Sequence, residues 1–381
     1  MITEIHVKNY RSLGDVTLNL GNLTVLVGPN GSGKSNLIDA IRFVSEALQL
    51  GLDSAIKKRH GIAMLRRWSP KKNPHDVLME FNLKGNKTDN PFSAKYGFTL
   101  KSERDGRISV KKEYCTVNWR KKNAEYLYEK GVPVKPVSTG LTPPVNEDSF
   151  VLSAIGGTEP FSYVRSALVN TGFCSIFPDT IRYPQNPGGI EISLEERGSN
   201  LAAILKNMKK QGSKWLPDIK SALSKVVPDI KDFQVQQIGG YLVIKFLHTG
   251  LNEDHWFDVS QESDGTLRVL GLLTAIYHDP SMSLLAVEEP ELTIHPGALA
   301  VLSDILLEAG TRTQLLLTTH SPDLISRLPV DSLRAVEKLD GVTLINEIDE
   351  TQRRVIEQRL FSAGDLLRLE GLNRRADEGV R

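Results

Sequence analysis

The chain has 381 residues, 24% of them charged, and its 47 Lys and Arg against 46 Asp and Glu leave a net charge of +1. A near-neutral chain has no overall attraction to polyanions, so any nucleic-acid surface has to be local. The length allows about two or three domains, or one large α/β domain with insertions. Cys115 and Cys174 lie far apart and outside metal-ligand spacing, which predicts neither a disulfide framework nor a zinc site but a reduced, cytoplasmic protein.

The start, MITEIHVKNYRSLGDV, has no positive segment followed by an apolar one, so no secretion signal is expected. No apolar run approaches the ~20 residues needed to cross a bilayer, and no membrane partner is expected.

Residues 2–9 alternate as a strand, DVTLNL follows as a second, and NLTVLV runs apolar into GPNGSGKSN. Behind it, LIDAIRFVSEALQL carries apolar residues at helical spacing. Gly28 to Ser35, GPNGSGKS, thus matches G-x-x-x-x-G-K-[ST] between a strand and a helix. Asn30, Gly31, Ser32, Gly33, Lys34, Ser35 and Asn36 form the candidate ATP-binding set. The glycines let backbone N–H groups surround phosphate oxygens at a helix N-terminus. Lys34 would reach the β- and γ-phosphates, and the Ser35 hydroxyl would ligate Mg²⁺.

Residues 54–75, SAIKKRHGIAMLRRWSPKKNPH, hold Lys57, Lys58, Arg59, Arg66, Arg67, Lys71 and Lys72 and no acid. These are the candidate DNA-binding residues, with Trp68 available to stack on an exposed base; the alternative is a solvated loop. The segments VLMEFNL, KYGFTLKS and RISVKKEYCTV read as strands, the last two joined at an Asp105-Gly106 turn, and 131–148 reads as a Pro- and Gly-rich loop.

From 199 the pattern turns helical, in SNLAAILKNMKK, with Ser199 or Asn200 as cap, and in LPDIKSALSKVV; a hairpin turning at Gly239-Gly240 follows. In SDGTLR, Ser263, Asp264 and Gly265 stand immediately before a helix, where they can donate to phosphate oxygens or simply cap it. The stretch LLAVEEPELTIHP is an apolar strand that ends in paired acids. In nucleotide hydrolases the strand next to the phosphate loop ends in an acid on the metal side, and the following acid polarises the attacking water; Glu288 takes the first role and Glu289 the second. A helix near 297–309 leads to TQLLLTTH, whose His320 is placed to contact a γ-phosphate or the surroundings of that water. A last hairpin turns at Asp340-Gly341. No internal repeat and no long heptad run is visible.

In this order and spacing the motifs resemble the ATP-binding-cassette (ABC) fold, in the branch that holds the RecF, SMC and OLD-type ATPases, over nearly the whole chain. The resemblance implies an α/β P-loop NTPase, an ABC ATPase head with an antiparallel β subdomain, a parallel-sheet core and a helical signature lobe. The implied organisation is one head: a core lobe from 1–50 and 280–350, an inserted β-rich basic region about 51–190, a helical lobe with the signature about 191–279, and a tail 351–381. NYRS resembles the branch's opening segment near the nucleotide and makes Arg11 a candidate contact. SDGTLR resembles its signature, so Ser263, Asp264 and Gly265 would act in trans on the nucleotide of a second head. Gln185, in RYPQNPGG, is the candidate for the family's metal-coupling Q-loop.

The implied cofactors are ATP and Mg²⁺, and the implied assembly is a homodimer closed by ATP, or a higher oligomer. Glu288 in place of the more general Asp is common in the OLD-like branch and sorts the subfamily. The segment after His320 is too short for a Toprim nuclease, and no long coiled coil divides the head. The expectation is therefore an ATPase switch in a DNA-associated process, namely anti-phage defence with a separately encoded effector, a nuclease or toxin. The alternatives are RecF-like DNA repair and the ATPase subunit of a membrane transporter.

Overall fold

The computed structural model describes residues 1–68, 75–85, 91–102, 108–140, 142–187, 193–277 and 282–376. The expected Asp105-Gly106 turn, and Lys71 and Lys72 of the basic segment, lie outside the described residues. Three strands open the chain: β1 (Ile2–Tyr10), β2 (Leu13–Asn19) and β3 (Leu23–Val27), followed by the helix Lys34–Leu50. Five more come from the inserted segment: β4 (Val77–Gly85), β5 (Phe92–Ser102), β6 (Ile108–Trp119), β7 (Lys122–Glu129) and β8 (Val132–Lys135). β8 places four residues of the expected loop at a sheet edge. Then come β9 (Thr171–Cys174), the meander β10 (Ile230–Ile238), β11 (Tyr241–His248) and β12 (His255–Asp258), and finally β13 (Leu284–Glu288), β14 (Gln314–Thr319), β15 (Leu333–Leu339) and β16 (Val342–Glu347).

Among the described residues, one 13-stranded sheet runs in the order β8-β7-β6-β5-β4-β1-β2-β16-β15-β3-β14-β13-β9, and β10-β11-β12 form a second. The half from β8 to β2 is antiparallel throughout. From β15 through β3, β14 and β13 to β9 the pairs are parallel, as crossover helices require. β3, β13 and β14 are buried on both faces, which matches their largely apolar runs. With a side-chain period of two, Leu26, Leu284, Ala286 and Leu316 enter the core around the helix Lys34–Leu50, while Val25, Val27, Leu285, Val287, Leu315 and Leu317 enter the core of the helical lobe.

Both expected hairpins form where a positive φ is needed, at Gly239 (56°) and Gly240 (90°) and at Asp340 (49°) and Gly341 (79°). The helix Leu201–Lys210 has Asn200 at its N-cap, but no side-chain bond caps it from there. Among the described residues, no helix is long and apolar enough to cross a membrane.

Candidate active site

The phosphate loop leaves β3 at Val27 and enters the helix at Lys34, with Gly31 at φ 76° and Gly33 at φ 107°. These are left-handed values that glycine adopts without steric cost. Gly33 is required twice over, because a Cβ there would collide with the Thr343 and Ser12 hydroxyls. Gly28 is equally confined, its missing side chain leaving room for the carbonyl of Val336 in β15. Thr343, in β16, donates to the Ser32 carbonyl at 2.7 Å. Its oxygen lies 2.6 Å from Ser12 Oγ, which accepts from Asn36 Nδ2 at 2.7 Å. Each hydroxyl has one proton, so the chain is ordered: Asn36 to Ser12, Ser12 to Thr343, Thr343 to the loop.

Lys34 is buried and donates to the carbonyls of Gly28 (2.9 Å) and Pro29 (3.0 Å). Burial lowers its pKa to about 8, against the opposing charges of Glu289 and Glu288. Ser32 Oγ is buried without a hydrogen-bond partner. A glycine-lined turn, an ammonium and an unpaired hydroxyl make a donor set that fits an anion.

On the acid side, Ser35 Oγ donates to Glu288 Oε2 at 2.8 Å across 253 positions of sequence. A hydroxyl and a carboxylate are the hard oxygen ligands that suit Mg²⁺. Glu289, the first residue beyond β13, adopts φ 48°, a region that costs a side-chain-bearing residue about 1 kcal/mol or more and is typical of functional sites. Its Oε1 lies 3.3 Å from His320 Nε2, at the end of β14. Burial holds the His320 pKa below its ordinary value, the Lys34 charge adds to this, and Glu289 and Glu291 oppose it.

The strand order corrects one expectation. β13 is not the neighbour of the phosphate-loop strand; β14 stands between β3 and β13, so His320 enters the site between the loop and the acid pair. Sequence reading also missed Glu291, the third acid of EEPEL. Its Oε1 accepts from Thr319 Oγ1 and from the amides of His320 (3.1 Å) and Ser321 (3.2 Å), which fixes the turn that carries His320.

Arg11, at φ 47°, lies beside the loop helix, with Nη2 2.9 Å from Asp39 Oδ2. In the signature segment, Ser263 is the N-cap of the helix Asp264–Ile276 and accepts from the Thr266 amide at 3.1 Å. Asp264 pairs with Arg182 at 2.6 Å, and a Cβ on Gly265 would collide with the Thr293 carbonyl in the loop after the acid pair.

Two candidates take other roles. Gln185 is buried, and here its Oε1 accepts from the Ala202 amide at 2.8 Å, capping the helix for which Ser199 or Asn200 was expected, so the oxygen expected at the metal is engaged in the fold. Arg59 is not a DNA contact: it is buried and ion-paired with Asp39 (2.9 Å) and Glu46 (2.6 Å). The rest of the basic segment is split. Lys57 is exposed and pairs with Asp53 at 2.6 Å, and Lys58 pairs with Glu46 at 3.1 Å. Arg66 and Arg67 are half-buried beside β1, where the Arg67 amide donates to the Asn9 carbonyl, and Trp68 is exposed.

Two family models match the chain, "AAA ATPase domain" over residues 1–131 and "AAA domain, putative AbiEii toxin, Type IV TA system" over 186–326. The OLD nuclease of Thermus scotoductus is 50% identical over 44 residues, which are 12% of this chain and 8% of that protein. The chromosome partition protein Smc of Methanococcus voltae is 48% identical over 61 residues, 16% of this chain and 5% of that protein. The matched stretches therefore span less than a tenth of those relatives. Among solved structures, an Smc head bound to the C-winged helix domain of ScpA aligns with TM-score 0.56 at 16% identity, covering 93% of this chain and 99% of that one. An Smc head with an extended coiled coil, bound to the C-terminal domain of ScpA derived from Pyrococcus furiosus, aligns with TM-score 0.52 at 14% identity, covering 94% and 99%. The matches fit the RecF/SMC/OLD-like branch of ATPases, and the fold is that of the SMC-head P-loop ATPases.

Proposed function

We propose that the chain is an ATP-dependent ATPase that dimerises on ATP and works as a switch in a DNA-associated process. The observation that carries the reading is the convergence of Ser35 on Glu288 at 2.8 Å beside a phosphate loop, with the Glu289–His320 pair next to it. Lys34 and the loop amides would hold the phosphates, and Ser35 with Glu288 would hold Mg²⁺, which supplies positive charge against them when bound. Glu289 would take a proton from the attacking water, and neutral His320, beside it, would orient that water. Ser263, Asp264 and Gly265 would complete the pocket of a second copy.

We place the switch in anti-phage defence with a separately encoded nuclease or toxin as effector, supported by the family match to a toxin-antitoxin ATPase and by the short identity to an OLD nuclease. The second reading is a DNA-repair role; the short identity to a chromosome partition protein supports the DNA-associated process common to both readings. The test is purified protein with ATP and Mg²⁺: turnover that Lys34→Ala removes together with ATP binding supports the ATPase, and turnover unchanged by it refutes the site. Affinity capture from the native host then separates the settings, because a co-purifying nuclease or toxin supports defence and repair factors support the alternative.

A further inference from the structure

Ser35 and Arg42 are seven residues apart on one helix, about two turns, and so share a face. Both reach Glu288. Ser35 bonds Oε2, and Arg42 Nη2 stands 3.6 Å from Oε1. The same Nη2 is held more tightly elsewhere, 2.7 Å from Glu196 Oε1, with the guanidinium carbon 4.8 Å from the centre of the Phe173 ring in β9. Glu196 belongs to the strap that leads from β9 into the helical lobe: its carbonyl accepts from the Ser175 amide at 2.9 Å, and the helix Leu201–Lys210 follows. With Nη1 3.9 Å from Asp39 Oδ1 on its own helix, one guanidinium is thus shared unequally between a metal-side acid, a carboxylate of the lobe and Asp39, Glu196 being the nearest.

The structure assigns Arg42 and Glu196 as positioning residues for Glu288: Glu196 holds the guanidinium back from Glu288 and so keeps that carboxylate open to a divalent cation. This rests on the ATPase reading above. A guanidinium and a metal ion compete for one carboxylate, so the longer Arg42–Glu288 separation keeps the ligand available, while Arg42 still fixes its orientation. Burial raises the Glu196 pKa, Arg42 opposes this, and the nearby Glu288 charge adds to it, consistent with two carboxylates drawn together by one cation. Removing the Glu196 charge frees Arg42 to close on Glu288.

The test is binding of a fluorescent ATP analogue to the full chain, titrated with Mg²⁺ and separately in EDTA. Glu196→Gln is expected to raise the half-saturating Mg²⁺ about tenfold, as loss of a group behind a metal ligand does, with EDTA affinity within about twofold of wild type. The double variant R42Q/E196Q is expected to return most of the shift, a rescue that a merely structural role would not give. Glu196→Asp, which keeps the charge on a shorter arm, is expected to fall between. An unshifted Mg²⁺ midpoint in E196Q, or a double variant worse than E196Q, overturns the assignment alone. Wild-type protein that binds no nucleotide overturns the ATPase reading and this assignment with it.

Discussion

His320 Nε2 stands 3.3 Å from Glu289 Oε1, joining the end of β14 to the residue after β13. With its pKa held below the ordinary 6.5 by burial, the imidazole is neutral at neutral pH and can accept or donate one hydrogen bond. Glu289→Gln keeps the shape and removes the base, so it should bind ATP, lose turnover by 10²-fold or more, roughly the worth of a general base, and accumulate dimers on a sizing column. Hydrolysis at the wild-type rate would mean that Glu289 is not the base. The acidic limb of the wild-type kcat/KM profile, which reports the free protein, should lie below pH 6.5, where His320 gains its proton.

Lys34 sets a second pH dependence. Its free-state pKa is about 8, and bound phosphates raise it, so above pH 8 the complex holds a proton that the free protein has lost. ATP affinity should therefore fall as pH rises from about 8, by at most about tenfold per unit. In the free chain the sign is opposite: a lysine lowered from 10.5 makes folding stability rise between about pH 8 and 10.5. Equilibrium binding from pH 7 to 9.5 checks the first, and urea unfolding over pH 8 to 10.5 the second.

Thr343→Val keeps volume and deletes the hydroxyl that bonds the Ser32 carbonyl and receives Ser12. Two bonds are lost, and each partner left unpaired costs about 1–3 kcal/mol, so ATP binding should weaken roughly tenfold or more. Calorimetric titration checks this, and an unchanged affinity would show that the loop holds its shape without β16.

Arg59→Ala leaves Asp39 and Glu46 without the buried guanidinium that pairs them. Loss of one partner from a buried pair costs at most about 3–5 kcal/mol, and Arg11 and Lys58 still reach Asp39 and Glu46, so the urea midpoint should drop by part of that. Lys57→Ala, which breaks only an exposed i,i+4 pair, should change it by less than about 0.5 kcal/mol. Equal effects of the two would refute the buried role.

The glycine-rich loop was legible because its residues are contiguous and its strand and helix flank it at readable periods. Glu288, Glu289 and His320 were legible as strand ends. What sequence could not show is which strands become neighbours: β14 intervenes between β3 and β13, and nothing local announces it. The partners of Arg59 and Gln185 were illegible for a related reason, because basic and amide side chains look alike in sequence whether exposed or buried against partners. Asp39 lies 20 positions from Arg59, and Ala202 lies 17 from Gln185. Glu291, Thr343 and Glu196 were missed since their targets are brought to them only by the fold.

One sheet runs from β8 to β9 and carries the insertion together with the phosphate-loop strand, its two halves joined between β2 and β16 at Leu13 and Thr343. Any movement that a bound nucleotide drives should be borne first by what lies outside this sheet: the helical lobe, with its own small sheet β10-β11-β12. Hydrogen exchange should therefore report the helical lobe on nucleotide addition and leave the large sheet quiet.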